Sequence, residues 1–395
     1  MDPGSFPQLG HGVREVSAAD LKASLHGGEE LSILDTRRPA DFETWHISHP
    51  NARPVNVPFT EFLDGNDPAA EVPDGVPDGP MLTCCAKGIS SHYVAEFLAR
   101  ESYDIAVLRD GMRGWARLYE ATDVETATVQ PDPEGIDTEV SLIQYHRPSS
   151  GCLAYLVVSG PEALVVDPLR TFADRYADDA IERGAEVRYV MDTHVHADHV
   201  SGVRNVSDLT GAERLLPAGA EDRGLAFDAT LVDAGDEIDV GATTIEVVPL
   251  PGHTTEMTGL RVGDVLLTGD SLFTDSVARP DLEAADAARE AAGTLWETLQ
   301  GVAEYPDGTV VAPGHAGPET QSASDGSFTA TVGTLRESLD AFDMDREAFV
   351  GFATGDLPPQ PKDYERVIAV NLGRATADAA EAFELELGPN NCAAG

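Results

Sequence analysis

Basic residues are scarce in this chain. Lysine and arginine together make up 26 of its 395 residues against 69 aspartates and glutamates, and lysine occurs only at Lys22, Lys87 and Lys362. A formal net charge of −43 repels phosphate backbones, which excludes nucleic acid as a natural partner. Cysteine is nearly absent too. Four residues, Cys84, Cys85, Cys152 and Cys392, cannot build a disulfide framework in a chain this long, so a reducing cytoplasm is the expected setting. No apolar run approaches the ~18 residues needed to cross a bilayer, and Met1-Asp2-Pro3-Gly4 lacks the basic-then-apolar character of a leader, so no membrane association is expected.

The acidic charge is spread without long runs, so it belongs to the whole surface and not to a binding tail. Such a composition resembles that of halophilic proteins, whose self-repulsion is screened when the Debye length shrinks to about 3 Å at 1 M salt. The midpoint of thermal unfolding should therefore climb as sodium chloride is raised. A flat or falling midpoint would contradict this.

What the chain does have is a dense cluster of metal-ligating side chains. His194, His196, Asp198 and His199 fall within six consecutive positions, directly after the apolar, β-branched run Val187 to Met191. That run reads as a buried strand ending at Thr193, with a new helix possible from about Asp198. Three imidazoles and a carboxylate buried side by side would each cost roughly 1–3 kcal/mol if left unpaired, so a cation is the economical partner. Three further apolar runs end in the same way, at Gly252-His253, Gly269-Asp270 and Gly314-His315. Imidazole with carboxylate suits zinc, iron or manganese.

This H-x-H-x-D-H, G-H, G-D, G-H order resembles the metallo-β-lactamase superfamily from about Val140 to at least His315, and Gly151 to Val157 with Ala163 to Pro168 look like its first hairpin strands. The resemblance implies two mixed β-sheets with helices outside and the metal at one edge. Within the superfamily, Gly269 to Leu282 is similar to the persulfide dioxygenases, in which G-D-x-L-F is followed by G-R-P-D-L; here Ala278 replaces the glycine while Arg279 and Asp281 match. That branch implies His194, His253 and Asp270 as the ligands of one Fe(II) per chain, with open positions for a persulfide and O2. It implies His196, Asp198, His199 and His315 as outer partners that orient the ligands. Arg279 would line the substrate pocket, or else form an ion pair that closes its loop. If the four outer residues instead bind a second metal, the resemblance implies a dinuclear zinc thioester hydrolase of the glyoxalase II type.

A second chemical signal lies upstream. Pro80 to Ser91 reads as an apolar strand, a small-residue loop headed by Cys85, and a helix starting near Ser90. Backbone N–H groups and a helix N-terminus raise a thiol's thiolate fraction. The loop is similar to the active-site loop of rhodaneses, which implies that Cys85 carries sulfane sulfur, with Lys87 and Ser90 beside the substrate. Ser90 stands where many such proteins have arginine, and Trp45 replaces the glycine usual before His46-Ile47. A catalytically silent module is the alternative. Cys84 should pack away from Cys85.

The motifs divide the chain into a doubly wound α/β rhodanese-like domain over 10–122, a linker over 123–135 and a metallo-β-lactamase αββα sandwich over 136–327. A mostly helical extension over 328–395 should follow. Asp64 to Gly79 reads as a loop. Helices are expected over Phe328 to Phe342, Arg346 to Phe352 and Tyr364 to Leu372, with Glu381 to Leu387 open between helix and strand. The combined reading is oxidation of a low-molecular-weight thiol persulfide by O2 to sulfite, coupled to sulfane-sulfur transfer that could use thiosulfate. A homo-oligomer is possible. A non-enzymatic sulfur carrier or sensor remains a further class.

Overall fold

A computed structural model describes residues 9–10, 12–63, 70–125, 129–131, 137–355, 357–388 and 391–394. The chain splits into two compact units, residues 1–118 with 147–150, and residues 119–146 with 151–395.

In the first unit, β1 (Arg14–Val16), β2 (Leu31–Asp35), β3 (Ala52–Asn56), β4 (Met81–Cys84) and β5 (Ile105–Leu108) form a parallel sheet in the order β1-β5-β4-β2-β3. Helices α1 (Ala18–His26), α2 (Pro39–Thr44), α3 (Ile89–Arg100) and α4 (Gly111–Trp115) connect the strands. Ser17 caps α1 by accepting from the Asp20 N–H. The sheet has apolar clusters on both faces: Leu21, Leu25, Leu82 and Trp115 in one, Phe62, Val94, Phe97 and Leu98 in the other. This is the expected doubly wound arrangement.

The second unit opens with β6 (Glu120–Asp123), β7 (Val129–Pro131) and β8 (Asp137–His146), and both short strands pair antiparallel with β8. The stretch 123–135, read from the sequence as a linker, therefore contributes strand residues. Thr126, Thr128, Asp132, Pro133 and Glu134, on which that reading drew, lie outside the described residues. The sheet continues through β9 (Leu153–Ser159), β10 (Glu162–Val166), β11 (Glu186–Met191), β12 (Glu213–Pro217) and β13 (Thr230–Val232). A facing sheet holds β14 (Glu237–Val240), β15 (Thr243–Pro249), β16 (Thr258–Val262) and β17 (Val265–Gly269). After a short β18 (Val277–Ala278) it is completed by β19 (Val310–Pro313) and β20 (Ala330–Thr331).

Side-chain periodicity explains the layering. Every residue of β9 is buried, as befits a strand covered on both faces, whereas β15 alternates along most of its length. Tyr155, Val157 and Leu164 meet Ile245, Val247 and Leu260 in one core cluster between the sheets. Helices α5 (Ala173–Glu182) and α6 (Val203–Thr210) cover one outer face through Tyr176, Val203 and Val206. On the other, Leu295 and Leu299 of α7 (Ala288–Ala303), Leu335 of α8 (Val332–Ser338) and Phe349 of α9 (Arg346–Ala353) do the same. Four layers result, αββα.

The first helix of the C-terminal extension is shorter than expected at both ends, stopping at Ser338 before a separate 3-10 turn over Asp340–Phe342. Ala330 and Thr331 pair with Val311 and Val310, and Thr331 then caps α8 by accepting from the Thr334 N–H, so the helix starts later than Phe328. Next come α10 (Tyr364–Asn371) and α11 (Ala379–Leu385), which resolves the open segment as helix because Asp378 caps it. The last strand, β21 (Ala393–Ala394), pairs with β18. Among the described residues no helix is long and apolar enough to cross a membrane.

Candidate metal centre and thiol loop

All the expected ligands follow strand ends at one edge of the sandwich. β11 stops at Met191, two residues before the expected Thr193, because the Thr193 N–H turns to the Asp167 carboxylate at 2.7 Å and leaves the ladder. Helix α6 begins at Val203, later than the possible start near Asp198. Side chains of the C-terminal extension take up the intervening backbone. Asn371 donates to the carbonyls of His196 and His199 and accepts from Ser201, and Glu386 accepts from Val200. The loop is thus held open as a ligand cradle.

His194, His253 and Asp270 converge. Their ligand atoms lie within 4.8 Å of one another, and each histidine Nε2 is 3.7 Å from Asp270 Oδ2. All three are buried. His194 Nε2 and Asp270 Oδ2 have no hydrogen-bond partner, an arrangement that a shared cation would resolve. The opposite edge of each ligand is fixed. His194 Nδ1 donates to Thr193 Oγ1 at 3.0 Å, which donates on to Asp167 at 2.9 Å. His253 Nδ1 donates to the Arg279 carbonyl at 2.8 Å. Both tautomers therefore present an Nε2 lone pair inward. Burial, the largest influence, holds the His194 imidazole well below its usual range and hence neutral. Asp270 is ionised despite burial, which opposes it, because His315 beside it outweighs that cost.

The outer residues form a second set. His315 bridges two carboxylates, donating from Nδ1 to Asp270 at 2.6 Å and from Nε2 to Asp198 at 2.9 Å. His196 Nε2 donates to Asp167 at 3.1 Å. Yet His196 Nδ1, Asp198 Oδ1 and His199 Nε2 are buried without partners, and these three residues also bring ligand atoms within 4.8 Å of one another. The donor chemistry therefore fits a metal at the triad and has capacity for a neighbour. Gly314 is required here: a Cβ on it would sit 2.4 Å from Asp270 Oδ1.

Arg279 is buried and fully engaged. Its guanidinium pairs with Asp281 at 2.7 and 3.0 Å and donates to the carbonyls of Pro359 and Asn391. This is the loop-closing ion pair that the sequence offered as one of two readings, and the Arg279 carbonyl also accepts from His253 at the centre. Arg279→Met should destabilise the fold by about 3–5 kcal/mol, since it leaves the largely buried Asp281 carboxylate unpaired. Denaturant melts would check this, and a loss under 1 kcal/mol would contradict it.

Four contributors escaped the sequence reading. Asp167, at φ 51°, closes the strand-end run Val165-Val166-Asp167-Pro168 and shares the ligands' own signature, so it could have been found. Asn371, Cys152 and Cys392 carry no local signal, because tertiary folding alone brings them to the centre.

In the first unit Cys85 follows β4 and precedes α3, as expected, and is buried. Burial, the largest influence, opposes its ionisation. The hydroxyls of Ser90 and Ser91 and the N–H groups of Ser91 and Lys87 outweigh that and lower the thiol below its usual range. Ser91 Oγ lies 3.3 Å from the sulfur. The loop is tightly built: Met112 and Arg113 donate to the carbonyls of Cys85 and Ala86, and a Cβ on Gly111 would meet the Cys85 carbonyl at 2.0 Å. Lys87 is exposed and Ser90 partly so. Cys84 is fully buried and burial pushes its thiol well up, which fits packing.

Known proteins echo both units. The sequence profile of the metallo-beta-lactamase superfamily matches residues 148–315, and that of the rhodanese-like domain matches residues 17–118. A hydroxyacylglutathione hydrolase of Methylobacillus flagellatus is 29% identical over 211 residues, covering 53% of this chain and 77% of the relative. Another, of Cereibacter sphaeroides, is 33% identical over 154 residues, covering 38% of this chain and 55% of the relative. Among solved structures, ETHE1 from Myxococcus xanthus superposes with a TM-score of 0.52 at 25% identity, over 59% of this chain and 98% of that one.

Proposed function

We propose that this chain, which carries a rhodanese-like domain followed by a metallo-beta-lactamase domain, oxidises a low-molecular-weight thiol persulfide to sulfite with O2 and handles sulfane sulfur at Cys85. The observation that carries this reading is the presence, in one polypeptide, of a two-histidine, one-carboxylate triad and a thiol loop built to favour thiolate. A thioester hydrolase has no use for the second. The likeness to ETHE1 supports the dioxygenase branch.

His194, His253 and Asp270 would hold one Fe(II), which supplies the one-electron chemistry that lets O2 react with a sulfur nucleophile. The chain's own residues prepare the place. Thr193 and the Arg279 carbonyl fix the two imidazoles, and Asp270 stays anionic under the His315 hydrogen bond. Burial of all three ligands keeps bulk water from the reacting atoms. On Cys85, the groups that favour a thiolate would equally hold the terminal anion of a persulfide.

A dinuclear zinc thioester hydrolase is the second reading. It is favoured by the partnerless atoms of His196, Asp198 and His199 and by the hydroxyacylglutathione hydrolase relatives. Side-by-side assays separate the two. The proposed function requires the iron-loaded protein to turn over a thiol persulfide with sulfite formation, while an S-acyl thioester is left intact by both iron- and zinc-loaded forms. Rapid thioester cleavage by the zinc form alone would support the second.

A further inference from the structure

A cluster of buried phenols begins next to the centre and ends toward solvent. The path from the triad runs through Asp270, His315 and Asp198, whose Oδ2 accepts from His315 at 2.9 Å and from the Cys152 thiol at 3.3 Å. Cys152 precedes β9 and shares a face with Ala154, which is the register partner of Tyr145 on β8. Cys152, Tyr145 and Tyr176 belong to one core cluster, against which Tyr119 and Phe172 pack. Ring centroids are 4.9 Å apart for Tyr145 and Tyr176, 5.5 Å for Tyr119 and Tyr145, and 6.0 Å for Tyr119 and Tyr176. Tyr145 and Tyr176 are fully buried, whereas Tyr119 is half-buried. Each hydroxyl has a proton partner. Tyr145 donates to Asp179 Oδ2 at 2.8 Å, and Tyr119 and Tyr176 share a hydrogen bond while Tyr176 accepts from the Leu169 N–H at 3.0 Å. Phenylalanine would pack the same rings without burying three hydroxyls, so packing alone does not account for the phenols.

We infer that Tyr145, Tyr176 and Tyr119 form an escape path for oxidising equivalents. When an oxidant of the peroxide class meets iron at the triad with no persulfide to consume it, an electron is drawn from Tyr119 through the two buried phenols and past Cys152, which spares the ligand imidazoles. With hydrogen peroxide the step balances. Fe(II) gives one electron and a phenol the other, and peroxide, with the phenol's proton and one from solvent, becomes two waters. Fe(III) and a neutral tyrosyl radical remain. Oxidation of a phenol releases its proton, which Asp179 receives from Tyr145 and which Tyr176 and Tyr119 pass along their shared hydrogen bond. At half-buried Tyr119 a low-molecular-weight thiol from solvent returns a hydrogen atom, restoring the phenol and leaving a thiyl radical in solution. The inference takes from the proposed function only the iron at the triad, and it is read by a radical signal that does not depend on turnover.

Iron-loaded protein mixed with hydrogen peroxide and rapidly frozen should show the electron paramagnetic resonance signal of a tyrosyl radical, narrowed when the tyrosine rings are deuterated. The zinc-loaded protein should show none. Combining Tyr119→Phe, Tyr145→Phe and Tyr176→Phe should remove most of the signal and raise oxidation of His194 and His253, read by peptide mass spectrometry, several-fold. Tyr189→Phe, in the cluster between the sheets, should change neither. No radical in the unmodified protein, or a folded triple variant with signal and ligand oxidation unchanged, would overturn the path. Should the triple variant fail to fold, Tyr119→Phe alone decides: decay of the radical on added thiol should slow several-fold, and an unchanged decay would contradict the assignment. A tyrosyl radical without persulfide-dependent oxygen uptake would instead refute the dioxygenase reading and leave this one standing.

Discussion

Asp270→Ala should leave a folded protein that no longer retains iron through purification, with persulfide-dependent oxygen uptake lowered by at least about 100-fold, the upper end of the loss expected for a mere outer partner. The reason is geometric and electrostatic. Asp270 supplies the only negative charge in the triad, its Oδ2 is 3.7 Å from both imidazole Nε2 atoms, and its Oδ1 is the acceptor that anchors His315. Removing it deletes a ligand and leaves His315 held by Asp198 alone. His315→Gln provides the contrast: the triad stays complete and activity should fall by only about 10-fold to 100-fold. Equal, modest losses in the two variants, with iron retained in both, would show that the triad is not where the metal sits.

Cys85→Ser should abolish sulfane-sulfur transfer from thiosulfate or a persulfide to a thiol acceptor, while oxygen uptake on a preformed low-molecular-weight persulfide persists. The two chemistries depend on different side chains, in units that each have their own core. In the unmodified protein, alkylation of Cys85 should approach its full rate at a lower pH than the ~8.5 midpoint of an ordinary thiol, because the hydroxyls of Ser90 and Ser91 and the loop N–H groups stabilise the thiolate. Ser91→Ala should move that midpoint upward. A wild-type midpoint at or above the ordinary value would mean that burial dominates and that the loop is catalytically silent.

The legibility of these features in the sequence followed their locality. His194, His196, Asp198 and His199 were visible because they crowd one loop, and His253, Asp270 and His315 because each ends an apolar run beside a glycine. The two-sheet sandwich was anticipated through the family resemblance that those motifs carry. Interactions closed over long distances were opaque. Asn371 reaches the carbonyl of His196 across 175 positions, and nothing around it in sequence distinguishes it from any asparagine near the end of a helix. Arg279 illustrates a different difficulty. Its sequence context suits a pocket residue and a buried brace equally well, and the bracing partners Asp281, Pro359 and Asn391 come together only in the fold. The region 123–135 reads as a linker from its polarity and prolines, and among its described residues Asp123 and Val129–Pro131 nonetheless pair with β8, a partnership that no local signal announces.

The most direct test of the central claim is metal analysis of anaerobically purified protein combined with oxygen-electrode recording on a thiol persulfide. One iron per chain, with oxygen consumed and sulfite formed, is the predicted result. Protein that holds only zinc and leaves dioxygen untouched after iron has been offered to the triad would contradict it.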